Sequence, residues 1–193
     1  MPRRYDPDRR DRIVEAAVRV VAARGLGALS HRAVAAEADV PLGSTTYHFA
    51  TLDDLLVEAV RRTAREWLDG LAAWERGLPA GAPLADAVAD LVAEALTGDR
   101  ARLELEYELY AAALRRPAVR PVAAACVAEM AAVLGRRTPD AAAARALAAL
   151  LDGVLLQCLV SGRPFARAEV RDAVARLVGE PAAATGARES GSP

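Results

Sequence analysis

Apolar residues return every three or four positions along almost the whole of this chain, and Gly or Pro breaks the pattern at intervals. That period belongs to amphipathic helices, and no stretch sustains the strict alternation of a half-buried strand with strand formers around it. Ile13, Val14, Ala17, Val20 and Val21 share one helical face, and Leu55, Leu56, Ala59, Val60, Ala64, Trp67, Leu68, Leu71 and Trp74 share another. About a quarter of the residues are Ala, the strongest helix former, and aromatic residues make up only 4%. The chain therefore reads as all-α, with about nine helices in 193 residues.

The helix ends are marked in turn. Asp6-Pro7 opens the first helix and Gly25 closes it. Ser30 caps a short helix from His31 to about Ala38; Asp39-Val40-Pro41 breaks it, and Pro41 opens another to His48 or Phe49. Thr51-Leu52-Asp53-Asp54 reads as a capping box for a long helix to about Arg76. Pro83 starts the next helix. Leu103 to Leu109 alternates Leu or Tyr with Glu, yet its helix-forming residues and helical flanks place it within a helix from about Arg100 to Arg115. Pro117 and Pro121 bracket the entry to a helix that ends at Gly135. Thr138-Pro139 caps one running to about Ser161, and the last spans Ala166 to Val178. The residues after Gly179 read as a disordered tail.

The charge balance excludes several classes. Net charge is −1 and every basic residue is Arg, so a nucleic-acid surface has to be local. Residues 1–49 carry eight Arg against six acids. Cys126 and Cys158 have no motif spacing and fit inert thiols in a reducing cytoplasm. The start of the chain has no signal-peptide pattern, and the longest apolar stretch, Ala146 to Val160, contains Asp152 and Gln157, so no membrane span is expected. Two His and two distant Cys make no zinc site. There is no phosphate loop, dinucleotide fingerprint or nucleophile elbow, so neither a cofactor nor enzymatic activity is expected. Glu104 and Glu108 share a helix face with Arg115 and, with Glu106, read as a solvated charged stripe.

One segment departs from this pattern. Leu42-Gly43-Ser44-Thr45-Thr46-Tyr47-His48 carries four hydroxyls and an imidazole on a short helix of poor propensity. With the helix before it and a turn of three to four residues between, it fits a helix-turn-helix whose second member reads DNA. Hydroxyls and imidazole suit phosphate oxygens and base edges, and Gly43 permits close backbone approach. The same spacing also fits a polar loop between two core helices.

The first sixty residues resemble the DNA-binding domain of the TetR/AcrR family of transcriptional regulators. The resemblance runs through Ala16-Ala17, Gly25, Ser30, Val34-Ala35, Ala38, Val40, Gly43-Ser44, Tyr47-His48-Phe49 and Leu55-Leu56. It implies a helix-turn-helix domain over residues 1–50, a ligand-binding and dimerisation domain over 51–179, and a tail over 180–193. It also implies roles in DNA binding for Ser30, His31, Arg32, Leu42, Gly43, Ser44, Thr45, Thr46, Tyr47 and His48, with Phe49 as an anchor in the core. Thr46 stands where Tyr is usual, and Leu52 where Lys often contacts phosphate. Arg3, Arg4, Arg9 and Arg10 form either a compensating arm or a frayed, solvated end.

A symmetric reader of palindromic DNA is expected to be a homodimer. The last two helices supply its expected interface: Leu147, Leu150, Leu151, Val154, Leu155 and Leu159 from one, with Val170, Val174 and Leu177 from the other; burial inside the monomer is the alternative. The resemblance further implies a small-molecule pocket, with Trp67, Trp74, Tyr107, Tyr110, Met130 and Gln157 as candidate linings and a mainly hydrophobic effector. The function expected is ligand-relieved repression of an operator. The competing reading is a helical ligand-binding bundle without DNA-binding activity.

Overall fold

Helix α1 (Arg9–Arg24) buries Ile13, Val14, Ala16, Ala17, Val20 and Val21, the face that their spacing marks out. The computed structural model describes residues 7–181, so the expected Asp6 cap lies outside the described residues, as do Arg3 and Arg4. Pro7 precedes the helix, and Asp8 holds the N-cap position. Gly25 ends α1 at φ 76°, a conformation that side-chain-bearing residues seldom adopt. A short 3-10 turn, Leu26–Ala28, leads to Ser30, whose Oγ accepts the Ala33 N–H at 3.2 Å and caps α2 (His31–Glu37). Asp39 then reverses the chain at φ 51°, a left-handed conformation that Asp tolerates better than most residues. Pro41 caps α3 (Leu42–His48) and is not itself helical.

The capping box at Thr51 forms as expected: Thr51 Oγ1 accepts from Asp54 N at 3.1 Å and Asp54 Oδ2 from Thr51 N at 2.9 Å. It starts α4 (Leu52–Gly77), whose 26 residues span about 39 Å at the α-helical rise. α5 (Leu84–Thr97) and α6 (Arg100–Ala111) follow. The Leu-Glu alternation is helical, but α6 stops at Ala111. A 3-10 turn, Ala112–Leu114, comes next, so Arg115 lies past the helix. α7 (Arg120–Leu134) and α8 (Ala141–Ser161) come next; Asp140, not Thr138, caps α8 by accepting from Ala143 N at 2.8 Å. α9 (Arg167–Val178) completes the nine α-helices of the described residues. Gly179 and Glu180 are not a loose tail. The Glu180 carboxylate accepts from Leu84 N at 2.7 Å and Ala85 N at 3.0 Å, supplying the N-terminal cap that α5 lacks in its own sequence. The rest of the expected tail, 182–193, lies outside the described residues.

Two apolar cores result. The first gathers α1, Val34 of α2 and Phe49 around Leu55, Leu56, Ala59 and Val60 of α4. The second joins Leu68 and Leu71 of α4 to α5, α7, α8 and α9. α6 belongs to both, with Leu105 and Leu109 in the first and Leu103 in the second. The buried Glu75 carboxylate pins the end of α4, accepting from Arg137 Nε at 2.7 Å and Arg136 at 3.1 Å. Those hydrogen bonds, Arg137's foremost, hold its carboxyl below the usual range.

The expected interface residues divide here. Leu147, Leu151, Leu155, Val170 and Val174 are buried in the monomer's own core, and Leu150, Val154, Leu159 and Leu177 are partly buried against it. A helix apolar all round leaves its inward face undetermined until neighbours are placed. The outward side of α8 is Ala142, Ala146, Ala149, Leu156 and Val160, spaced by three, four or seven residues, with Val160 80% exposed. By length and a mean hydropathy of 1.7, α8 also meets the requirement for crossing a membrane, although its sequence contains Asp152 and Gln157. Its inward face is nonetheless part of a globular core.

Candidate DNA-reading and ligand sites

α3 stands on the surface with α2 behind it. Tyr47 is 85% exposed, and its ring meets His48 edge-on at 5.2 Å between centroids. Leu42, Gly43 and Thr46 are also exposed, as are Ser30 and Arg32. Nothing lies within 4 Å of where a Cβ on Gly43 would stand, so its missing side chain serves no contact inside the protein. Phe49 is buried, as an anchor should be. Two expected contacts turn inward instead. Thr45 is fully buried with its hydroxyl donating to Leu42 O at 2.8 Å, and Ser44 is buried beside it. At 3.6 residues per turn, Thr45 falls about 160° from Tyr47, on the side packed against α1 and α2, and Ser44 flanks that side. His31 is half-buried.

The surroundings of α3 use up other groups. Arg10 lies over the Phe49 ring at 5.1 Å and pairs with Glu58 at 3.1 Å, so it braces the domain and does not extend as an arm. Arg9 is the first residue of α1. Arg19 on α1 pairs with Glu37 on α2 at 2.7 Å. Leu52 packs against the first core.

A second site opens between α4, α5, α6, α7 and α8, a cavity of about 360 Å³. Four of the six expected linings meet there: Trp67, Tyr107, Tyr110 and Met130. Trp74 lies farther along α4, packed on the second core, and Gln157 sits in a small groove beside the α8–α9 link. The apolar wall includes Leu71, Leu103 and Leu155.

The cavity is also acidic, which helix periodicity did not reveal. Among the described residues, Glu66, Glu94, Asp99, Glu106 and Asp152 line it, against Arg102 as the one basic residue. Burial raises the carboxyls of Glu106 and Asp152 above their ordinary values. The Tyr107 hydroxyl donates to Asp152, 3.3 Å from its carbonyl oxygen and 3.5 Å from Oδ1; burial, then the Asp152 charge, pushes the phenol upward. Cys126 also lines the cavity, and burial raises its thiol to about 11, so it is a thiol near neutral pH.

The three glutamates that read as one stripe go to three places. Glu104 pairs with Arg100 on the surface at 2.8 Å, and Glu106 enters the cavity. Glu108 reaches back to accept from Leu26 N at 2.6 Å, across to the turn that follows α1. Residues two apart on a helix diverge by about 200°, so sequence proximity said nothing of common surroundings.

Residues 13–59 match the sequence model of bacterial regulatory proteins of the tetR family, and residues 79–180 match that of the tetracyclin repressor-like C-terminal domain. The chain belongs to the TetR family. The multidrug binding protein EbrR, solved with imidazole, is 52% identical with a TM-score of 0.83, over 92% of this chain and 99% of that one. A TetR-family member, SCO1917 of Streptomyces coelicolor A3, is 52% identical with a TM-score of 0.74, over 89% and 99%. The regulator SCO7518 of Streptomyces coelicolor A3(2) is 36% identical with a TM-score of 0.78, over 89% and 99%. EbrR has also been solved with ethidium, proflavin and malachite green. No curated protein matches the chain. This TetR-family chain is thus a ligand-responsive, DNA-binding transcriptional regulator, and the bundle without DNA binding is set aside.

Proposed function

We propose that this regulator represses an operator and is released from it by a lipophilic, aromatic cation. One observation carries the ligand class: an apolar, aromatic cavity holds the half-buried carboxylates of Glu106 and Asp152, with Arg102 as the basic side chain beside them. Buried acids in a low-dielectric site favour a cation that stacks on Trp67, Tyr107 or Tyr110. This adds charge to the mainly hydrophobic effector expected from sequence. The ethidium, proflavin and malachite green complexes of EbrR support the same class.

DNA is read by Tyr47, His48, Thr46 and Leu42 from the exposed side of α3, with Ser30, His31 and Arg32 toward the backbone. A DNA-binding unit over residues 1–50 and a ligand-binding and dimerisation unit over 51–179 divide the work. Two copies pair through the uncovered side of α8, Ala146, Ala149, Leu156 and Val160, and so match a palindromic site. The protein works in the cytoplasm, spans no membrane and catalyses no reaction.

Release needs a ligand-dependent difference between two states, and α6 is placed to carry it. Its Glu106, Tyr107 and Tyr110 line the cavity, its Leu105 and Leu109 sit in the DNA-binding core, and Glu108 holds the Leu26 amide. A ligand that repositions α6 thereby shifts α1 and the spacing of paired α3 helices.

The test is a gel shift with the DNA upstream of the protein's own gene. Specific retardation that weakens steeply with salt and is reversed by ethidium is expected. Retardation insensitive to ethidium would remove the ligand assignment, and no retardation would remove the repressor.

A further inference from the structure

Arg102 stands among the cavity's acids. Its backbone N–H takes the Asp99 cap at 3.1 Å, a contact any residue but Pro makes at that position. Its guanidinium reaches Glu106 at 3.2 Å and Glu66 at 3.6 Å, and all three residues line the cavity. The two partners differ in setting. Glu106 has a side chain only 16% exposed, whereas Arg102 is 52% exposed on a long, flexible stem. Glu66 has a second cation, Arg62, at 3.3 Å; for Glu106, Arg102 is the ion-pair partner that the geometry supplies.

We infer that Arg102 is an internal counter-ion that occupies the cation position of the cavity and has to be displaced by a cationic ligand, which makes it a specificity-determining residue. This rests on the ligand class proposed above. Glu106 is buried enough that losing its partner without replacement is unfavourable, so only a ligand that brings its own positive charge can release Arg102 to solvent. A neutral aromatic of the same size fills the apolar part of the cavity and leaves the pair intact. Arg102 therefore weakens every cationic ligand by a fixed competition and, at the same time, opposes the rise that burial imposes on the Glu106 carboxyl. An exposed guanidinium loses little on leaving, so the penalty to the ligand is modest.

The experiment measures binding of ethidium, a permanent cation, and of N-phenyl-1-naphthylamine, a neutral aromatic, to the full-length protein by fluorescence. It compares the wild type with Arg102→Ala and Arg102→Lys. The ratio of ethidium affinity to neutral-probe affinity is expected to rise about three- to tenfold in Arg102→Ala. In Arg102→Lys it is expected to return toward the wild-type ratio, because charge and not shape does the competing. A ratio that stays level or falls in Arg102→Ala overturns the inference. So does a structure with ethidium bound in which Arg102 still holds Glu106. Ethidium binding to neither wild type nor variant strikes the ligand class itself; binding to both at an unchanged ratio strikes Arg102 alone. Binding seen only in Arg102→Ala supports the competition in its strongest form.

Discussion

The DNA-reading helix and the ligand cavity solve opposite problems with side chains. On α3 the residues that face outward, Leu42, Gly43, Thr46 and Tyr47, lie within one short stretch of sequence, while Ser44 and Thr45 between them turn inward. Around the cavity, the polar groups come from residues 66 to 152, spread over α4 to α8, and burial raises the carboxyls of Glu106 and Asp152. A surface reader therefore depends on which few residues point out, whereas a buried reader depends on how charge is held in a low dielectric. α6 joins the two regions, with Glu106 in the cavity and Glu108 on the turn after α1.

If α3 reads DNA from its exposed face, truncating Tyr47 and His48 together removes contacts worth about 1–3 kcal/mol each, a loss in operator affinity of roughly a hundredfold. A gel-shift titration measures it, with ethidium affinity as the control. An unchanged operator affinity would move the reading surface elsewhere. Thr45→Ala makes the contrast within the same helix: its expected effect is on melting temperature, through the buried hydroxyl bond to Leu42, before any effect on DNA.

The cavity's charge is tested by Glu106→Gln, for which ethidium affinity is expected to fall roughly twentyfold while a neutral probe changes little. pH gives the same information without mutation. Because the folded-state carboxyls of Glu106 and Asp152 are raised, the sites are anionic above those values, and ethidium binding is lost as pH falls through them. For stability the sign is reversed. Raised carboxyls contribute fully below their unfolded-state values and less as pH rises through the folded ones, so the ligand-free protein loses some stability over that window. A flat ethidium profile across it would mean that neither acid faces the bound cation.

The link between the regions is broken by Glu108→Ala. Operator and ethidium affinities measured separately should move little, while the factor by which ethidium weakens operator binding falls about fivefold. Full coupling in this variant would shift the connection to the apolar contacts of Leu105 and Leu109. The smallest effect is expected from Leu52→Lys at the start of α4. It should strengthen operator binding about threefold and steepen its salt dependence by about one unit, as an added phosphate contact does.

Much of the fold was legible because its signals are local. Caps at Ser30 and Thr51, the stop at Gly25 and the period of α1 and α4 each involve residues within one or two turns. The helix-turn-helix was legible as a pattern and became specific by resemblance. Less was legible of α8: its sequence is apolar on every side, so Leu147 and Val160 looked alike, although one is fully buried and the other 80% exposed. Trp74 and Gln157 have the residue type of a pocket lining, and type does not fix the direction a helix presents to its neighbours.

The sequence by itself determined about nine helices and where most of them begin and end, since each depends on hydrogen bonds and periodicity within a segment. Only the tertiary structure decided that Glu106 and Asp152 share a cavity while Glu104 stays in water. It likewise decided that Glu108 joins two cores, that Glu180 caps α5, and which side of α8 is left uncovered. These are matters of which faces meet across long separations in the chain, and burial then sets what a charge there does.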